Sequence, residues 1–176
     1  MDAVLDNNIS KVRALLDQNA DIEEKDGNGN TPLNRAADMG RTEICRVLID
    51  KGADVNTKNN NGDTPLMSTV GAYPAYNYNN DSISIARMLL AKGADMTVKN
   101  KQGETAMDIA QMRNKSTIVT MMKEETATRK RLAEEYARAV EKKRQETVKD
   151  MQHELKEAAK NKPRLKPRPP AGPKAA

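Results

Sequence analysis

Residues 26–58 read DGNGNTPLNRAADMGRTEICRVLIDKGADVNTK, and much of the chain on either side is a variation on them. Thr31-Pro32-Leu33 returns 33 residues later as Thr64-Pro65-Leu66. Gly52-Ala53-Asp54 is matched upstream by Asn19-Ala20-Asp21 at the same period, and downstream by Gly93-Ala94-Asp95 at 41 residues. The excess of eight marks a local insertion. A period near 33 that holds a turn, two short helical patterns and a Gly-terminated loop specifies stacked helix pairs, each burying its faces against its neighbours.

The local chemistry of the stretch agrees. Thr31 stands where a helix N-cap is needed, and Pro32 follows at the first helical position, where a missing backbone N–H costs nothing. Leu33, Ala36 and Ala37 supply a face small enough for close helix approach. Ile44, Cys45, Val47, Leu48 and Ile49 then form the apolar run of a second helix, which Gly52 ends in the left-handed conformation. Cys45 lies within that run, so it reads as a buried structural thiol and not as a nucleophile.

Gly29, Thr31 to Leu33, Ala36, Ala37, Gly40, Ile44, Val47 to Ile49 and Gly52 to Asn56 together resemble the ankyrin-repeat family, and the resemblance extends over residues 1–122. It implies an all-α fold, an ankyrin-repeat solenoid of about four units, two complete and two capping. It also implies a groove built from first helices and turn loops, for which Asn34, Arg35 and Met67 are candidate partner contacts. The family's usual His is replaced by Asn34, Met67 and Asp108, which implies weaker coupling between units.

The first unit, residues 2–6 and 9–18, is shortened and carries Val4, Leu5, Ile9, Val12, Leu15 and Leu16 at helical spacing. The last begins at Gly103 and has Ile109, Ala110, Ile118, Val119, Met121 and Met122 at its apolar positions. The eight added residues are placed at 73–80, with Asp81 in the position of Gly40. Three of the four tyrosines, Tyr73, Tyr76 and Tyr78, lie there. Tyrosine offers apolar area with a polar tip, so this loop reads as a partner contact, as local cover for the helix ends, or as a tolerated insertion with neither role.

Beyond Met122 the pattern changes. Residues 123–160 hold neither Pro nor Gly and are rich in Ala, Glu, Lys and Arg, which predicts a long charged helix over 123–162. Leu132, Tyr136 and Val140 form one short stripe; Val148, Met151, Leu155 and Ala158 form another. Three readings stand: a partner-binding helix, a solvated spacer, or a coiled coil that self-associates through residues 132–158. Residues 163–176 are Pro-rich and basic and are expected to be disordered or polyproline-like. Arg164, Pro167 and Pro170 there follow the order of SH3-domain ligands.

Composition narrows the function classes. The chain of 176 residues has no Phe, no Trp and a mean hydropathy of -0.83, which suits a solenoid better than one large core. Ten Met read as adaptable core filling, not as cofactor ligands. One Cys and one His exclude an ordinary disulfide framework or zinc cluster, so no cofactor and no catalytic residue is expected. The formal charge of +5 is uneven: residues 1–122 carry −2 and residues 123–176, where 16 basic residues meet 9 acidic ones, carry +7. Weak nucleic-acid binding through this basic tail is one consequence, carried by phosphate attraction alone. No membrane association is expected, and an intracellular, cytoplasmic protein is, with the nucleus or a larger complex also open. The leading reading is a non-catalytic adaptor that binds one or more proteins; the alternative is a structural subunit anchored by the long helix and tail.

Overall fold

The computed structural model describes residues 1–71 and 79–160, and every structural element among them is helical. In order these are α1 (Asp2–Leu5), α2 (Ile9–Asp17), α3 (Pro32–Asp38), α4 (Thr42–Asp50), α5 (Pro65–Gly71), α6 (Asn79–Ala91), α7 (Ala106–Met112) and α8 (Ser116–Lys160). The chain divides into two units, Met1–Thr128 and Arg129–Ala176, the second described through Lys160.

Within the first unit α1 packs on α2, α3 on α4 and α5 on α6. The first helices of successive pairs, α1, α3, α5 and α7, lie against one another, and so do the second helices α2, α4 and α6. The core between the two layers is aliphatic: Leu33, Ile44, Leu66, Val70, Ile85 and Leu89 are fully buried. Met67 and Met122 fill places that aromatics would otherwise take.

Short helices of seven residues need their ends satisfied, and the threonines do this. Thr31 Oγ1 accepts from the Asn34 N–H at 3.2 Å while Asn34 Oδ1 accepts from the Thr31 N–H at 3.3 Å, a reciprocal capping box on α3. Thr105 and Asp108 repeat it on α7, with the Thr105 N–H 2.8 Å from Asp108 Oδ2. Hydrogen bonds from the Thr105 hydroxyl and N–H hold the exposed Asp108 carboxyl below its ordinary value. On α5 the third residue is Met67, so only Thr64 Oγ1 accepts, at 3.4 Å.

The loops that enter α3, α5 and α7 share one construction. Asp26, Asn59 and Asn100 each use their side-chain Oδ1 to accept the backbone N–H groups two and four residues ahead, at 2.8–3.1 Å. Gly29, Gly62 and Gly103 take φ of 73, 82 and 81°, the left-handed turn that glycine makes without a Cβ penalty. Neighbouring loops are stitched by backbone bonds: the Asn60 N–H donates to the Asn28 carbonyl at 3.0 Å and the Lys101 N–H to the Asn61 carbonyl at 2.8 Å. The recurring Asp21, Asp54 and Asp95 stabilise the loops after the second helices, each accepting the N–H two residues on at 2.8–2.9 Å.

Two expectations change. Asp81 does not take the turn position of Gly40, because α6 already begins at Asn79. It sits in the first turn and accepts from Thr42 Oγ1 at 2.9 Å, linking α6 to α4. The apolar pattern of the last pair ends near Met122, but its second helix does not: α8 runs from Ser116 to Lys160 without interruption. Nothing in those residues breaks a helix, so the change in composition does not change the backbone. Ile118 and Met122 are buried and Val119 and Met121 pack beside them.

Candidate protein-interaction surface

The side of the first unit formed by α3, α5, α7 and the three entering loops encloses an open cleft of about 1020 Å³. Amides dominate its loop side, with Asn28, Asn30, Asn59, Asn60, Asn61 and Asn100 contributed by three successive loops. Its helix side carries Asp38 from α3, Ser68 and Gly71 from α5, and Ile109, Met112 and Arg113 at the end of α7. Met112 is 59% exposed, the largest apolar group that this side offers to a ligand.

The loops hold this surface rigidly, because most of their polar groups bond one another. Asn59 Nδ2 donates to Asn30 Oδ1 at 2.9 Å, and Asn100 Nδ2 lies between Asp63 Oδ1 and Glu104 Oε2, at 3.0 and 3.2 Å. A surface preorganised in this way has little conformational entropy to lose on binding.

The expected contact residues separate into two groups. Asn34 is fully buried and is corrected from a partner contact to a structural residue. Besides its capping role, its Nδ2 donates to the Asp63 carbonyl at 3.3 Å and its Oδ1 accepts from Thr57 Oγ1 at 3.3 Å. It therefore performs the coupling within and between pairs that the missing His was expected to weaken. Met67 is corrected likewise: at 2% exposure it is part of the cleft's floor and presents almost no area. Both are the third residue of their helix, a position that is exposed at Asp108 of α7, the last of the first helices, so burial at Asn34 and Met67 comes from what packs over them and not from the position itself.

Arg35 remains partly accessible, its side chain 26% exposed. Its Nη2 pairs with Asp26 Oδ2 at 2.8 Å, with Asp38 Oδ2 3.8 Å from Nη1. Burial pushes the Asp26 carboxyl up, but donors from Asn30, Arg35 and Asn28 outweigh it and the group lies below its ordinary value. Asp38 goes the other way: burial raises it, and Arg35 offsets only part of that. Arg35 thus fixes the loop before α3 to the end of the same helix.

Tyr73, Tyr76 and Tyr78, and the tail residues Arg164, Pro167 and Pro170, lie outside the described residues. The insertion leaves the described chain at Gly71, which itself lines the cleft. Cys45 is fully buried and its thiol is pushed up to about 12 by that burial, so it holds no thiolate at neutral pH. Among the described residues no group of three or more His, Cys, Asp or Glu is placed to hold a metal ion, and no helix is long and apolar enough to cross a membrane.

What sequence reasoning missed is the amide column of the loops. Its signal was present in the recurrence of Asp26, Asn59 and Asn100 three residues before Gly29, Gly62 and Gly103.

The family model described as "Ankyrin repeats (3 copies)" matches residues 1–75, and the model described as "Ankyrin repeat" matches residues 61–101. No curated protein matches the chain. Paired helices at the same period, capped by threonine and joined by loops that turn on left-handed glycine, account for both matches, and through residues 1–101 the chain belongs to the ankyrin-repeat family.

Proposed function

We propose that this protein is an adaptor that grips a protein partner in the cleft of α3, α5 and α7, with Tyr73, Tyr76 and Tyr78 contributing contacts at its rim. The array is a non-catalytic protein-protein interaction module, as ankyrin repeats are. In this reading the array comprises four units, two complete and two capping, over residues 1–122. The charged segment at 123–162 continues the array's last helix, and the basic Pro-rich tail follows at 163–176.

The observation that carries the reading is the cleft, which three successive loops and three first helices line without interruption. The tyrosines belong to the proposal because their segment departs from Gly71 at the cleft and because tyrosine buries apolar area with few rotors to freeze.

Affinity capture with the full chain, followed by titration of the recovered partner, tests it. Replacing Ser68 by Arg and Met112 by Glu places bulk and charge in the cleft at two accessible positions. The doubly substituted chain should lose the partner while its thermal unfolding is unchanged. A partner held equally well by both chains refutes the cleft as the binding face.

A further inference from the structure

The second unit presents a face that no described residue covers. Leu132, Tyr136 and Val140 are 54, 74 and 50% exposed, and Val148, Met151 and Leu155 are 46, 55 and 71% exposed. At about 100° per residue these six fall within an arc of about 160°, one side of α8. Large apolar groups gathered on one side of an otherwise charged helix mark an interface. Their spacing says more. Read forward, the intervals are four, four, eight, three and four residues; read backward they are nearly the same, with the centre between Lys143 and Arg144.

We propose that this face pairs with a second copy of the same helix, running antiparallel about a two-fold axis between Lys143 and Arg144. In that register Leu132 meets Leu155 of the other copy and Tyr136 meets Met151, while Val140 and Val148 lie one residue out of step with each other. Each layer is formed twice, so a single helix supplies both halves of the seam.

The charges around the axis follow the same symmetry. The central block is Glu141-Lys142-Lys143-Arg144-Gln145-Glu146, with its cations inside and its carboxylates at the ends. Antiparallel pairing sets Arg144 beside Glu141 of the other copy and Lys143 within one turn of Glu146. An in-register parallel pair would align Lys143 with Lys143 and Arg144 with Arg144. In the antiparallel pair Lys143 and Arg144 still approach across the axis, and polar groups inside an apolar seam select its register while weakening it. Association is therefore expected to be reversible and concentration-dependent. The proposal is independent of the cleft and its partner.

Sedimentation equilibrium on the full chain is the first test. The mass should rise from 19.5 kDa toward twice that value between about 5 and 500 µM. Replacing Tyr136 and Met151 together by Ala, which keeps helix propensity, should raise the dimer Kd at least about tenfold and leave the array's melting unchanged. Orientation is read by mixing copies bearing Tyr136→Cys with copies bearing Met151→Cys and adding a short bismaleimide; buried Cys45 is shielded from the reagent. The mixture should cross-link and neither variant alone should. A single-chain mass at every concentration overturns the proposal and assigns the face to a different protein. Cross-linking of the Tyr136→Cys chain to itself overturns the antiparallel arrangement.

Discussion

Two glycines in the array share a backbone conformation but differ in what surrounds them, and replacing each by alanine separates strain from crowding. Gly52 has φ of 92° and Gly62 φ of 82°, both in the left-handed region. A Cβ on Gly52 would meet nothing within 4 Å, whereas one on Gly62 would stand 3.2 Å from Asn100 Cα and 3.2 Å from the Lys101 backbone nitrogen. The left-handed conformation costs an L-residue about 1–2 kcal/mol. Alanine regains about 0.4–1 kcal/mol because its unfolded chain has less freedom to lose. Gly52→Ala should therefore destabilise by at most about 1.6 kcal/mol. Gly62→Ala carries the same strain and must also push back the next loop, against backbone that cannot rotate away. The bond at risk is the Lys101 N–H to the Asn61 carbonyl, 2.8 Å, and losing it adds about 0.5–1.5 kcal/mol. Urea melts followed by far-ultraviolet circular dichroism would measure the difference. A Gly62→Ala chain as stable as the Gly52→Ala chain would mean that the loop ladder does not couple one pair to the next.

Four further outcomes are expected. Leu48→Ala and Leu89→Ala, at positions 1% and 0% exposed, should each cost about 2–5 kcal/mol in denaturant melts, and a loss below about 0.5 kcal/mol for both would place these residues on another face. Asn34→Leu leaves the Thr31 cap in place but removes the reciprocal half of the capping box, the Thr57 contact and the bond to the Asp63 carbonyl, so it should cost about 1–3 kcal/mol with the cleft's accessible residues untouched; unchanged stability would return Asn34 to the candidate contacts. The Asp26 carboxyl lies below its unfolded value, so the stability it contributes is present above the ordinary range near pH 4 and is lost as pH falls through the folded value. The advantage of the wild-type chain over Asp26→Asn should accordingly shrink between pH 7 and pH 3, and a constant difference in urea melts contradicts the assignment. Replacing Tyr73, Tyr76 and Tyr78 by Ser should weaken the complex by at least about 1 kcal/mol in calorimetry with helical content nearly unchanged, and unchanged affinity with lower stability would make them packing residues.

The sequence by itself determined the helix pairs and their order. Those features are local: a threonine before a proline caps whatever helix follows, and a glycine ends it by taking a conformation others avoid. Their recurrence at one period then made the stack legible without coordinates, because each pair repeats the same local rules. It also made the cleft's elements legible, since first helices and turn loops recur on one side.

Tertiary structure alone decided which side chains that cleft presents. Asn34 and Met67 are buried at the helix position that Asp108 occupies exposed in α7, so what packs over each one decides its burial, and no periodicity carries that. Asp81 shows the same limit, because only its contact with Thr42 on the preceding pair distinguishes a helical start from a turn. The ladder from Asn28 to Asn60 and from Asn61 to Lys101 joins residues more than thirty positions apart, and such pairing exists only when the helices have already stacked. At the other end of the chain the apolar stripe of α8 was visible as spacing, but its exposure was not. Whether Leu132 and Leu155 meet solvent or a core depends on what packs beside the helix, which local composition cannot encode.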